Sequence, residues 1–282
     1  MRTFLAHTAR VLCIGAVAAA ASLATPASAQ TPVDCNETAL RDAITAANNA
    51  GGGSLSLRPG CTYTLTTPLP DITGRLVIDA NRSTITRDTT APSFGILTVR
   101  GSLALEEATI TNGDAPDFGG GIANYGNLTV TSSNIRDNHA RFSGGIGGFT
   151  NTQTQILSSN ITNNRADVNG GGMANDGVMR VISSRVNNNT AGSLGGGLAN
   201  DGLLYVVQSN VNANQANRGG GLANVGNTST VIESNINDNT AASAPGGVLN
   251  TSGSVFLLFS RVNGNTPTNC AGSPIPVPMC TG

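Results

Sequence analysis

The stretch GGGMANDGVMRVISSRVNNN, Gly170 to Asn189, decides the fold, because it returns one step later as GGGLANDGLLYVVQSNVNAN, Gly195 to Asn214. Looser copies lie on either side. GGGIAN with SSNIRDN comes before it; GGGLANV with ESNINDN and then GGVLN with FSRVNGN come after it. The step is about 25 residues, a period that belongs to solenoids. One such repeat cannot bury its apolar face alone and must stack on the next.

The columns of the repeat name its elements. Ser133, Ser159, Ser184, Ser209, Ser234 and Ser260 align. Before them stand Val130, Ile156, Val181, Val206, Val231 and Leu257; after them stand Ile135, Ile161, Val186, Val211, Ile236 and Val262. The Gly runs lead into Ile122, Ile146, Met173, Leu198, Leu222 and Val248. Each coil therefore carries three short aliphatic segments divided by Gly or Asn turns, which read as strands. The expected fold is all-β: a single-stranded, right-handed parallel β-helix of about eight or nine coils, about 40 Å long at a spacing of about 4.8 Å. Ile85 and Ile110 carry the step back from Ile135, so the rod is expected over residues 54–266.

Two asparagine columns accompany the aliphatic ones: Asn138, Asn164, Asn189, Asn214, Asn239 and Asn265, and Asn124, Asn175, Asn200, Asn224 and Asn250. Asparagine tolerates a left-handed backbone, and stacked amides bond one another along a cross-β axis. A structural role is therefore expected for them. The Gly runs are not phosphate loops, since no lysine and no helix follows.

The two ends read differently from the middle. Arg2 and Arg10, the apolar run Val11 to Ala21 and the small residues Ala27-Ser28-Ala29 make residues 1–29 an expected secretory signal peptide. Residues 30–53 are the expected N-terminal cap, a helix from Asn36 to Asn49 with Ala39, Leu40, Ala43, Ile44 and Ala47 on one face. Residues 267–282 are the C-terminal cap, whose segment CAGSPIPVPMC holds three prolines that cannot extend a ladder. Open solenoid ends are sheet edges and need such covers. Four of the five cysteines, Cys35, Cys61, Cys270 and Cys280, lie beyond the signal peptide. An even number in an exported chain implies two disulfides. Three pairings are open, of which 35–61 with 270–280 is the simplest. Their spacing does not suit zinc, and neither a metal nor a cofactor is expected.

Composition excludes some classes. The formal net charge is −1 and the chain has no lysine. No basic patch emerges, so nucleic acid is not an expected partner. Beyond the signal peptide the longest apolar run is Val255 to Phe259, too short to span a membrane. Tryptophan is absent and tyrosine scarce, which speaks against aromatic platforms for sugar rings.

Two surfaces are candidates for function. The first is the corner between the Asn column and the next Gly pair, where loops vary on a constant scaffold. One coil step brings Asp114 to His139 and then to Arg165, with Asp117, Arg141 and Asp167 nearby. Such a corner binds a sugar or performs acid–base chemistry; alternatively it holds exposed ion pairs between coils, which are weak. The second is a stripe of Leu157, Ile182, Val207, Ile232 and Leu258, which strand alternation turns outward. An exposed aliphatic stripe suits docking to a partner or self-association. The alternatives are a bulge that buries it or filler chosen for strand propensity.

The Gly-Gly-x-aliphatic and aliphatic-x-x-Asn tetrads resemble the repeats of chlamydial polymorphic outer-membrane proteins and of secreted bacterial β-helix proteins. The segment LRDAI, Leu40 to Ile44, resembles the Cys-Ser-Leu-Arg-Glu-Ala-Ile motif that leads into such repeats, although Cys35 stands farther upstream. The resemblance covers residues 35–266. It implies a pectate-lyase-like β-helix, a superfamily of lyases, hydrolases and adhesins. Lyases of this kind need a basic proton acceptor beside a bound uronate, and hydrolases need a carboxyl pair. The expected function is an exported, non-catalytic surface, adhesion or extracellular binding module for polysaccharide or protein. The alternative is a polysaccharide lyase or glycoside hydrolase.

Overall fold

A computed structural model describes residues 30–281. The signal peptide expected over 1–29 lies outside the described residues. Among the described residues the chain is an all-parallel β-solenoid of about nine turns with one helix near its start.

Each regular coil has four strands where the repeat predicts three. One coil runs Ile146–Gly148, Gln153–Leu157, Asn160–Thr162 and Arg165–Ala166. Stacking turns these into four ladders of seven, ten, nine and six strands. We call them faces 1 to 4 in that order. Face 4 passes through the segments read above as variable corner loops. Its later strands are two residues long and send a single small side chain inward, as Ala166, Ala191, Ala216 and Ala241 do. So short a signal leaves no periodicity to read.

The aliphatic columns fill the interior. On face 2 the strand Val178–Ile182 alternates, with Met179 and Val181 buried and their neighbours half-buried. On face 3 the middle residue of each three-residue strand of the regular coils points in, as Val186 does in Arg185–Asn187. The turns between faces depend on left-handed residues. Ser183 (φ 49°) turns face 2 into face 3, Asn188 (φ 57°) turns face 3 into face 4, and Gly195 (φ 65°) turns face 4 into face 1. The left-handed residue is thus the one before the Asn column, not the column itself. A Cβ on the neighbouring Gly171 would stand 2.4 Å from the Thr190 carbonyl oxygen, which explains the second glycine of each run.

The Asn column has a different task. The Asn164 amide donates to Asn189 Oδ1, Asn189 to Asn214 and Asn214 to Asn239, each at 3.0 Å. Each Oδ1 also takes a backbone N–H from the coil before, as Asn189 does from Asn164 at 2.9 Å. Each amide reaches a face 3 carbonyl as well, Asn189 to Ile161 at 2.9 Å. The second column forms a shorter chain, Asn175 to Asn200 to Asn224 to Asn250. Gly148 interrupts it, and Asn124 turns to the Thr154 hydroxyl at 2.9 Å instead. The two ends of that chain, Asn175 Oδ1 and Asn250 Nδ2, are buried without partners.

Both ends are covered. The helix Glu37–Asn49 is capped by Asn36, whose side chain accepts the Ala39 N–H at 2.8 Å, and it buries Leu40, Ile44 and Ala47. Ala39 and Ala43 are only partly buried against the same core. A strand ahead of the helix, Thr31–Val33, pairs with Leu55 to Leu57 and begins face 2, which the repeat pattern does not foretell. Burial raises the Glu37 pKa. Hydrogen bonds from the Thr66 N–H, Arg41, and the Thr66 and Thr67 hydroxyls outweigh it and bring the value down to about 2. Cys35 pairs with Cys61 and Cys270 with Cys280. The C-terminal cap closes faces 4 and 1, where Ala241 donates to the Thr266 carbonyl and Ile275 to the Asn250 carbonyl. Among the described residues no helix is long and apolar enough to cross a membrane.

Candidate functional site

The corner foreseen from the sequence assembles in part. Face 4 pairs His139 with Asp114 on one side and with Arg165 on the other. His139 Nδ1 lies 2.7 Å from Asp114 Oδ1, and Nε2 lies 3.0 Å from Asp167 Oδ1. Ser93 donates to the second oxygen of Asp114 at 2.5 Å, with Arg87 3.8 Å from that oxygen. Arg165 stands 3.7 Å from Asp167. Partial burial lowers the His139 pKa, but hydrogen bonds to Asp114 and Asp167 outweigh it and raise the net value. The Ser93 hydrogen bond, then that of His139, lowers the Asp114 pKa. A carboxylate on each ring nitrogen favours the protonated ring, the form that donates to both. The corner ties three coils together electrostatically.

Two of the expected corner residues lie elsewhere. Asp117 lines a shallow depression with Asp71, Arg100 and Tyr125. The Arg141 guanidinium sits 5.1 Å from the Phe142 ring centroid. The stripe does lie in register on face 2, Leu157 beside Ile182, then Val207, Ile232 and Leu258. No bulge interrupts it. It ends at an exposed patch of Phe256, Leu258 and Phe259, the last 89% exposed.

The feature missed from the sequence is on face 1. Its outward column runs in register through Thr98, Ala123, Gly147, Ala174, Ala199, Ala223 and Leu249, and the five in the middle hold nothing larger than a methyl group. Residues on either side rise above it and leave a groove of about 280 Å³. Phe118, Phe142, Ser143 and Asn169 line the side toward face 4; Phe149, Asp176, Asp201 and Val225 line the side toward face 2. Four rings form one stack. Tyr125 lies 4.0 Å from Phe149 at 11°, Phe149 meets Phe118 edge-on at 5.1 Å, and Phe118 stacks on Phe142 at 5.1 Å and 17°. Arg100 covers the Tyr125 end at 4.9 Å and Arg141 the Phe142 end at 5.1 Å. The two pairs at 5.1 Å are favourable beyond their buried area, and cations on ring faces add to them.

Few aromatics occur in the chain, yet four of them meet here. The signal was present: Phe118 and Phe142 are one coil apart, and so are Tyr125 and Phe149. What the columns did not tell is that these two pairs face each other across face 1. The acids follow the same rule. Asp176 and Asp201 follow Asn175 and Asn200, which pair in the ladder, so the carboxylates are coil neighbours. Burial raises the Asp176 pKa, and the charge of Asp201 raises it further. Among the described residues no group of three or more His, Cys, Asp or Glu is placed to hold a metal ion.

No protein-family model matches the chain, and neither a curated protein nor a solved structure matches it. The solenoid assignment therefore rests on the ladders themselves, and the functional reading on the groove.

Proposed function

We propose that this chain is an exported, non-catalytic β-helix that binds an extracellular or cell-surface polysaccharide along face 1. The observation that carries this reading is the four-ring stack beside a floor of small residues. Ligand sites are concave and mostly apolar, with a few placed polar groups. Here the rings offer flat apolar surface, and Ser143, Asn169, Asp176 and Asp201 offer polar partners. The floor of small residues repeats at the coil spacing of about 4.8 Å, close to the length of one pyranose along a chain. Export is supported by the pattern in residues 1–29 and by two cystines, which persist in oxidising compartments.

The test is retention of the protein from Gln30 onward on a panel of insoluble polysaccharides. Replacing Phe118 and Phe149 together by alanine should weaken retention at least about tenfold, as truncating central aromatic anchors does. Retention on no polymer, or retention indifferent to that double change, sinks the reading. The alternative of a lyase or hydrolase requires unsaturated or reducing-end products. Products that vanish in Asp176→Asn would move the chain to that class.

A second reading attaches to face 2. Five aliphatics in register, ending in half-exposed Phe256 and Leu258, suit self-association. Association that rises with concentration and is lost in Ile182→Asp and Val207→Asp would support it; a monomer at every concentration would refute it.

A further inference from the structure

The charge along the face 1 groove is one-sided. Asp176 and Asp201 line its middle, and no arginine or histidine lines it anywhere. The two arginines of the aromatic stack lie at its outer ends, over Tyr125 and Phe142. Arg218 continues the column of Asn169 and Leu194 on one wall, but its guanidinium is bound to the Ala244 and Gly272 carbonyls. Among the described residues neither Asp176 nor Asp201 has an ion-pair partner. Both carboxylates are exposed and stand one coil apart without a counter-charge, and a cation placed between them is attracted to both. The ring faces next to them favour a cation as well. A uronate carboxylate in the same place would meet two like charges.

Resting on the polysaccharide reading above, we infer that this groove selects a glycan that carries protonated amines, a glucosamine-type polymer, and rejects polyuronates. The sugar faces lie on Phe118 and Phe149. An ammonium group lies against Asp176 and Asp201 and donates to both. This selection runs against what a uronate-cleaving site requires.

Calorimetric titration at low salt distinguishes the outcomes, with oligomers of glucosamine, their N-acetylated counterparts and oligogalacturonate. The amine form should bind about threefold tighter than the N-acetylated form, the scale of an exposed ion pair, and oligogalacturonate should bind weakest. In Asp176→Asn with Asp201→Asn the preference for the amine form should disappear. Raising the salt should narrow the gap. Equal binding of the two forms, or tighter binding of the uronate, overturns this inference and leaves the groove as a glycan site. Equally tight binding of a simple diamine overturns the glycan part of it. If no oligosaccharide binds a protein whose circular dichroism is that of a folded β-solenoid, the polysaccharide reading itself fails.

Discussion

Two columns of polar side chains climb this rod at the same step, one inside and one outside. Inside, Asn138 through Asn265 form a chain of amides, each at most 7% exposed. Outside, Asp114, His139 and Asp167 form a chain of charges, with side chains 30%, 40% and 49% exposed. Both are built from contacts between neighbouring coils, and both look alike in the sequence as polar residues one period apart. Burial separates them. An unpaired buried amide loses its full solvation, whereas an exposed ion pair trades one hydrated state for another and contributes little. The inner column holds the fold; the outer one trims it.

The largest effect should come from cutting the inner column. Asn189→Leu removes the acceptor of the Asn164 N–H and the donor to the Ile161 carbonyl. Each group left unpaired costs about 1–3 kcal/mol, so a loss of about 3 kcal/mol is expected in urea unfolding. A loss no greater than that of His139→Gln would break the comparison.

The second column sharpens it. Asn200 has amide partners on both sides, while the Asn175 oxygen is already unpaired beneath Gly148. Asn200→Leu should therefore destabilise more than Asn175→Leu, by about 1 kcal/mol. Equal losses would mean that the unpaired oxygen is satisfied in solution, as by a buried water.

The smallest effect belongs to the outer column, and it carries a pH signature. The His139 pKa is raised from an ordinary value of 6.5, so its contribution is full below that value and is lost as pH rises through the raised one. The Asp114 pKa is lowered, so its contribution is present above the ordinary value of 3.8 and is lost as pH falls through the lowered one. The corner should stabilise most in mildly acid solution, by less than about 1 kcal/mol. Comparing wild type with His139→Gln from pH 4 to 9 by thermal unfolding checks this. A difference independent of pH would show that His139 acts through packing rather than charge. At the N-terminal end, Glu37 should support the helix cap above its ordinary 4.5 and release it as pH falls toward about 2. Glu37→Gln should flatten that acid limb.

Much of this was legible because a period fixes neighbours. Once Val181 and Val206 are one step apart, stacking puts them together, and the same step pairs Asp114 with His139. The helix was legible from the face of Leu40, Ile44 and Ala47. Face 4 was not, since one inward alanine per strand makes no pattern.

The amino-acid sequence by itself determined which residues stack on which, the aliphatic interior, the amide columns and the caps. Each of these follows from the step along the chain and from the need to bury apolar surface and pair buried polar groups. Only the tertiary structure decided what the coil encloses and what it leaves open. The turns at Asn188 and Gly195 set the angles between faces, and those angles bring Phe118 and Phe142 across face 1 to Phe149 and Tyr125. A period gives the neighbour along the rod. The neighbour around the rod depends on corner geometry, which no column of the repeat encodes.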